Sequence, residues 1–305
     1  MPDVTFPLVP RGRIVGLAFG AMRSVRRGTG SDVAGSRTYT PGDDVKAIDW
    51  GASARLSSAR ARDEFVVREL YAEEAPRVVV ICDRRPEMRL YPPRLPWLRK
   101  PAAQRAALEL IRASAIDAHG FVGYLDFGDG EGEPFWLPPQ TQSLWEYEER
   151  EEETAAFAAP RENLTDALEF LLAHPRSVPA GTFVFVLSDF LVAPRVDTWV
   201  RALEQRWDLV PVVIQDPVWE QSFPAVERVG LPVASVDGEG DEVWLRGREV
   251  TARRRANERR WDELMATFAQ LDVEPVIVRS EDPREILRPF LDWAETRQAA
   301  QGPSW

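Results

Sequence analysis

The chain has 305 residues, 44% hydrophobic and 29% charged, a composition that suits one large globular domain with or without an extra segment. Its net charge of -11 excludes nucleic acid as the main partner, because phosphate recognition needs a basic surface. The single cysteine, Cys82, excludes an intramolecular disulfide and fits a reducing, cytoplasmic setting. Residues 1–10 lack the features of a secretory signal, and no apolar run approaches the roughly 20 residues that insert into a bilayer.

The charge is uneven. Residues 1–60 hold nine Arg and Lys against five Asp and Glu (+4), which leaves 29 against 44 (-15) for the remainder. A basic arm ahead of an acidic body reads either as a docking segment or as an arm folded over its own body. In chain order, residues 23–36 are rich in Gly, Arg and Ser without a sustained period and predict a loop. Tyr39-Thr40-Pro41-Gly42-Asp43 is a turn signal, after which Asp43 or Asp44 starts a short helix through Ile48 and Trp50. Residues 65–67 predict a strand leading to the first core strand.

Val78-Val79-Val80-Ile81 is the continuous apolar run of a strand buried on both faces, with Cys82 at its end as an inert buried thiol. Pro101 opens a helix in which Ala103, Ala107, Leu110 and Ile111 recur at spacings of three and four. Residues 121–127 predict a second strand and 135–137 a short third one. Residues 146–153 hold six glutamates and one arginine, the pattern of a solvated face. Asn163 caps a helix with Leu164, Ala167, Leu168 and Leu171 on one side. Residues 183–187 form the strongest strand signal, and Val196, Trp199, Val200 and Leu203 mark the next helix. Residues 209–214 predict a strand despite Pro211, which removes a ladder donor and is tolerated near a strand start or at an edge. A hairpin around Asp237-Gly238 ends near Trp244, and a long helix carries Trp261, Leu264, Met265 and Phe268. Residues 276–278 are the last strand, Ile286, Leu287, Phe290 and Leu291 the last helix, and residues 298–305 fray. This alternation predicts an α/β fold, an open and mostly parallel sheet with helices on both faces.

In such a sheet, ligands bind beyond the carboxyl ends of the strands where strand order reverses. Asp83 and Asp189 each follow a predicted central strand, so they either hold a hard cation such as Mg²⁺ or cap the helices that follow. Other chemistries lack their residues. The first strand is followed by Asp83-Arg84-Arg85-Pro86-Glu87, which is no dinucleotide or phosphate loop, and the two histidines, His119 and His174, each end a helix.

The stretch Ser36-Arg37-Thr38-Tyr39-Thr40-Pro41-Gly42-Asp43-Asp44-Val45-Lys46-Ala47-Ile48-Asp49-Trp50-Gly51-Ala52-Ser53-Ala54-Arg55 resembles the signature of the bacterial family called domain of unknown function 58. The run Phe65-Val66-Val67-Arg68-Glu69 fits it as well. The resemblance implies a von Willebrand factor A-like domain over residues 76–298, with residues 1–75 as an extension packed on it and 299–305 as a tail. It also implies a non-enzymatic adaptor without cofactors, working with a MoxR-type AAA+ ATPase, a client protein, or both. The alternative is a metal-dependent hydrolase using Asp83, Glu87 and Asp189.

The A-type fold normally carries a metal-ion-dependent adhesion site of the form Asp-x-Ser-x-Ser, completed by a Thr and an Asp. Asp83 and Asp189 match its aspartates, whereas Arg85 and Glu87 stand at the serine positions and Glu162 near the threonine position. The expectation is a degenerate site without divalent metal, held together by Arg85, or by Arg84, whose fork of donors neutralises Asp83 or Asp189. The signature residues Tyr39, Pro41, Gly42, Asp43, Asp44, Asp49, Trp50, Arg55 and Arg68 are expected to be structural. Ile48 and Trp50 bury against the sheet domain, and Asp49 pairs with Arg55 or Arg68.

Overall fold

A computed structural model describes residues 4–11, 22–39, 48–60, 64–89, 97–128, 134–140, 157–225, 230–234 and 240–300. The chain opens with an antiparallel ribbon of β1 (Met22–Thr38) and β2 (Val66–Glu74), with helix α1 (Trp50–Arg60) between them. Then follow β3 (Arg77–Cys82), α2 (Lys100–Asp117), β4 (Phe121–Asp126), β5 (Phe135–Gln140), α3 (Asn163–Ala173), β6 (Phe183–Ser188), α4 (Val196–Glu204) and β7 (Asp208–Ile214). A hairpin of β8 (Gly230–Ala234) and β9 (Gly240–Trp244), helix α5 (Gly247–Gln270), β10 (Val276–Val278) and α6 (Pro283–Ala300) complete the described chain.

The predicted α/β architecture is present: a six-stranded sheet in the order β10-β7-β6-β3-β4-β5, parallel except for the edge strand β5. Every residue of β6 and β7 is buried, as continuous apolar runs require when helices cover both faces. The side-chain period of two divides the core. Val78, Val80, Phe183, Phe185 and Phe290 lie on the face covered by α2 and α6, while Val79, Ile81, Val184, Leu168, Trp199 and Phe268 lie on the face covered by α3, α4 and α5. Pro211 is accommodated because β10 pairs only with residues 212–214 of β7, so the first half of β7 has no neighbour on that side among the described residues. Between α2 and β4, His119 takes φ 54° and Gly120 must be glycine, since a Cβ there would come 2.6 Å from the Pro76 carbonyl oxygen.

Several expectations change. Residues 23–36 are not a loop but lie within β1, whose register against β2 shifts three times; the long-range partner supplies the ladder that local glycine and arginine content does not announce. Ile48, expected within a helix, is held in a β-bridge to Val67, and the described helix α1 begins at Trp50. Pro41, Gly42, Asp43 and Asp44 lie outside the described residues, as do residues 146–153. The first described residues reach the sheet domain. Phe6 enters its core against Phe290 (4.6 Å between ring centroids), Trp293 and Phe185, and the Val9 carbonyl accepts from Arg297 (3.0 Å). At the other end, α6 continues regularly through Ala300 rather than fraying from residue 298.

The signature segment is fastened by hydroxyls and a cap. Asp49 Oδ1 accepts from the Ala52 amide (2.9 Å) and so caps the start of α1; of its two expected arginine partners, Arg68 has its side chain outside the described residues. Ser53 Oγ donates to the Asp49 carbonyl (2.6 Å) and accepts from the Val66 amide (2.8 Å), and Ser57 bonds both backbone groups of Glu64. Ile48 is half-buried, whereas Trp50, expected in the core, is 62% exposed. Helix α1 has almost no apolar face, so nothing draws its first residue inward.

Candidate functional site

Strand order reverses between β3 and β6, and the crevice at their carboxyl ends holds Asp83 and Asp189, both fully buried. Gln104 of α2 clamps the two strands there, donating to the carbonyls of Asp83 (3.0 Å) and Leu187 (3.1 Å). Neither aspartate caps a helix. Asp83 accepts from the Arg85 amide (2.9 Å) and Asp189 from the Leu191 amide (3.0 Å), so each carboxylate turns the chain locally and projects its remaining oxygen inward.

Arg85, itself fully buried, lies between them. Its Nε donates to both carboxylate oxygens of Asp83 (3.1 and 3.0 Å), and its Nη2 donates to Asp83 Oδ2 (2.5 Å) and Asp189 Oδ1 (2.8 Å). The fork expected on one aspartate or the other thus reaches both. Ser188 Oγ donates to Asp83 Oδ2 (2.6 Å), and Asn163 Nδ2 donates to Asp83 Oδ1 (3.2 Å). On the far side Lys100, the first residue of α2, gives its ammonium to Asp189 Oδ2 (2.7 Å) and Glu220 Oε1 (2.7 Å). Two cations thus face three carboxylates in a region closed to water.

The electrostatics follow from that arrangement. Burial opposes the charge on Arg85, but its hydrogen bond to Asp83 and the charges of Asp83, Asp189 and Glu87 reverse this and raise its pKa. Burial likewise works against the Lys100 ammonium, and Asp189 and Glu220 outweigh it and hold the pKa above the ordinary lysine range. For Asp189, burial would raise the carboxyl, yet Lys100 and Arg85 keep it below its ordinary value. Glu220 is raised, by burial first and by Asp189 against the pull of Lys100.

A depressed Asp189 contributes stability that is complete above its ordinary 3.8 and is lost as pH falls through the folded value. A raised Lys100 contributes below 10.5 and loses that contribution as pH rises through its folded value. Glu220 acts in the opposite sense to Asp189, costing stability as pH rises from 4.5 through its folded value. Urea unfolding followed downward through the carboxylate range should therefore show an acid limb that is flatter in Asp189→Asn than in the unmodified chain. An unchanged limb in the variant would mean that Asp189 is not ionised against these cations.

The remaining site candidates separate. Arg84 turns away from the two aspartates, donating to the Tyr124 hydroxyl (2.8 Å) and to Asp126 Oδ2 (3.3 Å), while Tyr124 itself donates to Asp126 (2.6 Å). Glu87 sits half-buried on a short 3-10 turn, Pro86–Arg89, and Met88 beside it is buried. Glu162 is exposed; the α3 residue that reaches Asp83 is its neighbour Asn163, whose side chain is spent there and not on capping the helix. Tyr39, Asp49, Trp50 and Arg55 belong to the ribbon and α1. Lys100, Gln104, Asn163, Ser188 and Glu220 were not anticipated, and only Ser188, adjacent to Asp189, carried a local signal.

The donor set does not fit a divalent cation as it stands. The oxygens of Asp83 and Asp189 that such an ion would need accept from Arg85 and Lys100, and a guanidinium where a ligand should be competes with any metal. Among the described residues no group of three or more His, Cys, Asp or Glu is placed to hold one. Ser188 is no activated nucleophile, since its hydroxyl is committed to Asp83 and accepts from the Phe190 amide (2.8 Å). His174 ends α3 and His119 follows α2, at the amino end of the sheet and remote from the crevice.

Comparison with known proteins places these features in a wider set. A family model described as "Protein of unknown function DUF58" matches residues 35–263, well over half of the chain. Curated relatives include uncharacterized proteins of Mycobacterium tuberculosis and Mycobacterium bovis, each 35% identical over 66 residues, a segment amounting to 22% of this chain and 21% of the relative. The match thus spans about a fifth of those proteins' length. Two solved structures are similar: an aerotolerance-related membrane protein from Bacteroides fragilis (12% identity, TM-score 0.40) and the conserved hypothetical protein BatB from Bacteroides thetaiotaomicron (15% identity, TM-score 0.37). Each alignment covers 72% of this chain and 99% of the other.

Proposed function

The chain belongs to the DUF58 family, proteins of unknown function, and from that premise we propose that it is a non-enzymatic interaction protein. In this reading it is an adaptor that docks through the carboxyl end of a von Willebrand factor A-like sheet onto a MoxR-type AAA+ ATPase, or onto that ATPase's client. The observation that carries the proposal is Arg85. With its guanidinium bridging Asp83 and Asp189, the crevice is electrostatically closed, and neither carboxylate is free to act as a base, nucleophile or metal ligand. What the crevice then offers a partner is its rim, where Glu87 is half-buried and Glu162 exposed.

A cytoplasmic location is part of the same proposal. Among the described residues no helix is long and apolar enough to cross a membrane, and the thiol of Cys82 is buried. The alternative of a hydrolase using Asp83, Glu87 and Asp189 needs a metal at aspartates that already hold cations.

Isothermal titration of the purified chain against the MoxR-type ATPase of the same organism tests the adaptor reading. Binding is expected, and the Glu87→Lys/Glu162→Lys double variant should lose about tenfold or more in affinity with its melting temperature unchanged. Absence of binding, or binding indifferent to the rim charges, would contradict docking at this end. Phosphatase or nuclease turnover with Mn²⁺ that Asp189→Ala abolishes would overturn the non-enzymatic assignment.

A further inference from the structure

In a chain with a net charge of -11, the first half of α5 is basic. Residues 247–260 hold six arginines against two glutamates (+4). Both glutamates are engaged elsewhere: Glu249 accepts from the Arg246 amide at the helix start (2.7 Å), and Glu258 accepts from the Ser222 hydroxyl (3.0 Å). Three of the arginines are tied to the loop after β7, through neutral groups. Arg254 donates to the Phe223 carbonyl (2.8 Å), Arg260 donates to the Glu220 carbonyl (2.7 Å), and Arg253 lies over the Phe223 ring (5.7 Å).

The other three, Arg248, Arg255 and Arg259, are exposed and make no ion pair among the described residues. At about 100° per residue they fall within about 40° of arc, opposite the buried Val250, Asn257, Leu264 and Phe268. At about 1.5 Å per residue they form a row about 16 Å long. Folding does not call for such a row. Like charges one turn apart, as at Arg255 and Arg259, destabilise a helix, and a cation in the first turn, as at Arg248, opposes the helix dipole.

Carboxylates bound the row. Asp262 and Glu263, both exposed, follow it along the helix, and the exposed Glu258 flanks it. A bilayer or a nucleic acid would extend past three arginines onto those carboxylates and onto a strongly acidic remainder, whereas one short segment would not. The planar forks of arginine suit carboxylates in particular. Through Arg260 and Glu220, whose carboxylate pairs with Lys100 (2.7 Å), this half of α5 also adjoins the crevice end of the sheet. We propose that Arg248, Arg255 and Arg259 are a docking row for an acidic segment of a partner protein, its carboxylates spaced along the helix. That the ligand is a protein rests on the adaptor reading; that it is acidic rests on the arginines.

Fluorescence anisotropy at low ionic strength, with a labelled peptide of about ten alternating Glu and Ala residues, outspans the row when extended and tests it. The ATPase takes no part, so failure of this row and failure of docking onto the ATPase are read separately. The purified full chain should bind the peptide, with an affinity that falls as salt rises. Arg248→Gln/Arg255→Gln/Arg259→Gln should weaken binding at least about tenfold, with a melting temperature no lower than that of the unmodified chain. Arg176→Gln/Arg206→Gln/Arg288→Gln, which removes the same charge from exposed arginines outside α5, should bind as the unmodified chain does. Absence of binding, or an equal loss in both triple variants, would overturn the row. Single-stranded RNA or phosphatidylserine vesicles that bind as tightly as the peptide, and lose that binding in the first variant, would overturn the assignment of an acidic protein segment.

Discussion

Arg85→Ala should destabilise the protein by about 3–5 kcal/mol, because it strands two buried carboxylates that share one guanidinium. Asp83 and Asp189 are both fully buried, and Lys100 alone then faces Asp189 and Glu220. Part of the penalty will be relieved by proton uptake at one aspartate, so the loss should be smaller in acid than at neutral pH. For a protein of this size the neutral-pH change corresponds to a fall in melting temperature of roughly 5–8 °C. Arg85→Lys should fall between the two, since an ammonium keeps the charge but cannot reproduce a fork reaching Asp83 and Asp189 together. Thermal unfolding of the three proteins at two pH values measures all of this. A neutral Arg85→Ala would show that the bridge is not formed.

Trp199→Ala should cost about 3–5 kcal/mol, while Trp50→Ala should stay within about 0.5 kcal/mol. Trp199 is fully buried, packed against Phe268 (6.1 Å) and Phe190 (6.5 Å) on the helix-covered face of the sheet. Its removal leaves a cavity that rigid strand neighbours cannot close. Trp50 has most of its surface in water already and, among the described residues, meets Phe65 edge-on. Denaturant midpoints of the two variants, with slopes held equal, distinguish the cases. A large loss at Trp50 would restore the buried anchor that the sequence suggested.

That contrast shows where sequence reasoning carries and where it stops. The central strands announce themselves because a strand covered on both faces must be apolar throughout, and β3, β6 and β7 are. Once those strands are placed, the topology puts Asp83 and Asp189 side by side, and the arginine two residues past the first of them is long enough to bridge them. By contrast, β1 has no alternation of its own and exists because β2 pairs with it. Trp50 was assigned to the core by residue type alone, although α1 offers no apolar face to carry it there. Glu162 and Asn163 differ by a single helical step, about 100°, so a small error in where α3 begins exchanged the inward residue for the outward one. Lys100 and Glu220 come from the start of α2 and the loop after β7, and no local motif marks residues that meet only across the sheet.

The assignment of Arg85 as the internal counter-charge of a closed crevice is tested most directly by thermal unfolding of the unmodified chain and of Arg85→Ser, each with and without excess Mg²⁺ or Mn²⁺. The unmodified chain should be indifferent to the ion. The variant, with Asp83, Asp189 and Ser188 around the vacated guanidinium position, should melt lower without metal and recover with it, since an ion that binds only the folded state stabilises it. A clear metal-dependent rise in the melting temperature of the unmodified chain would contradict the account.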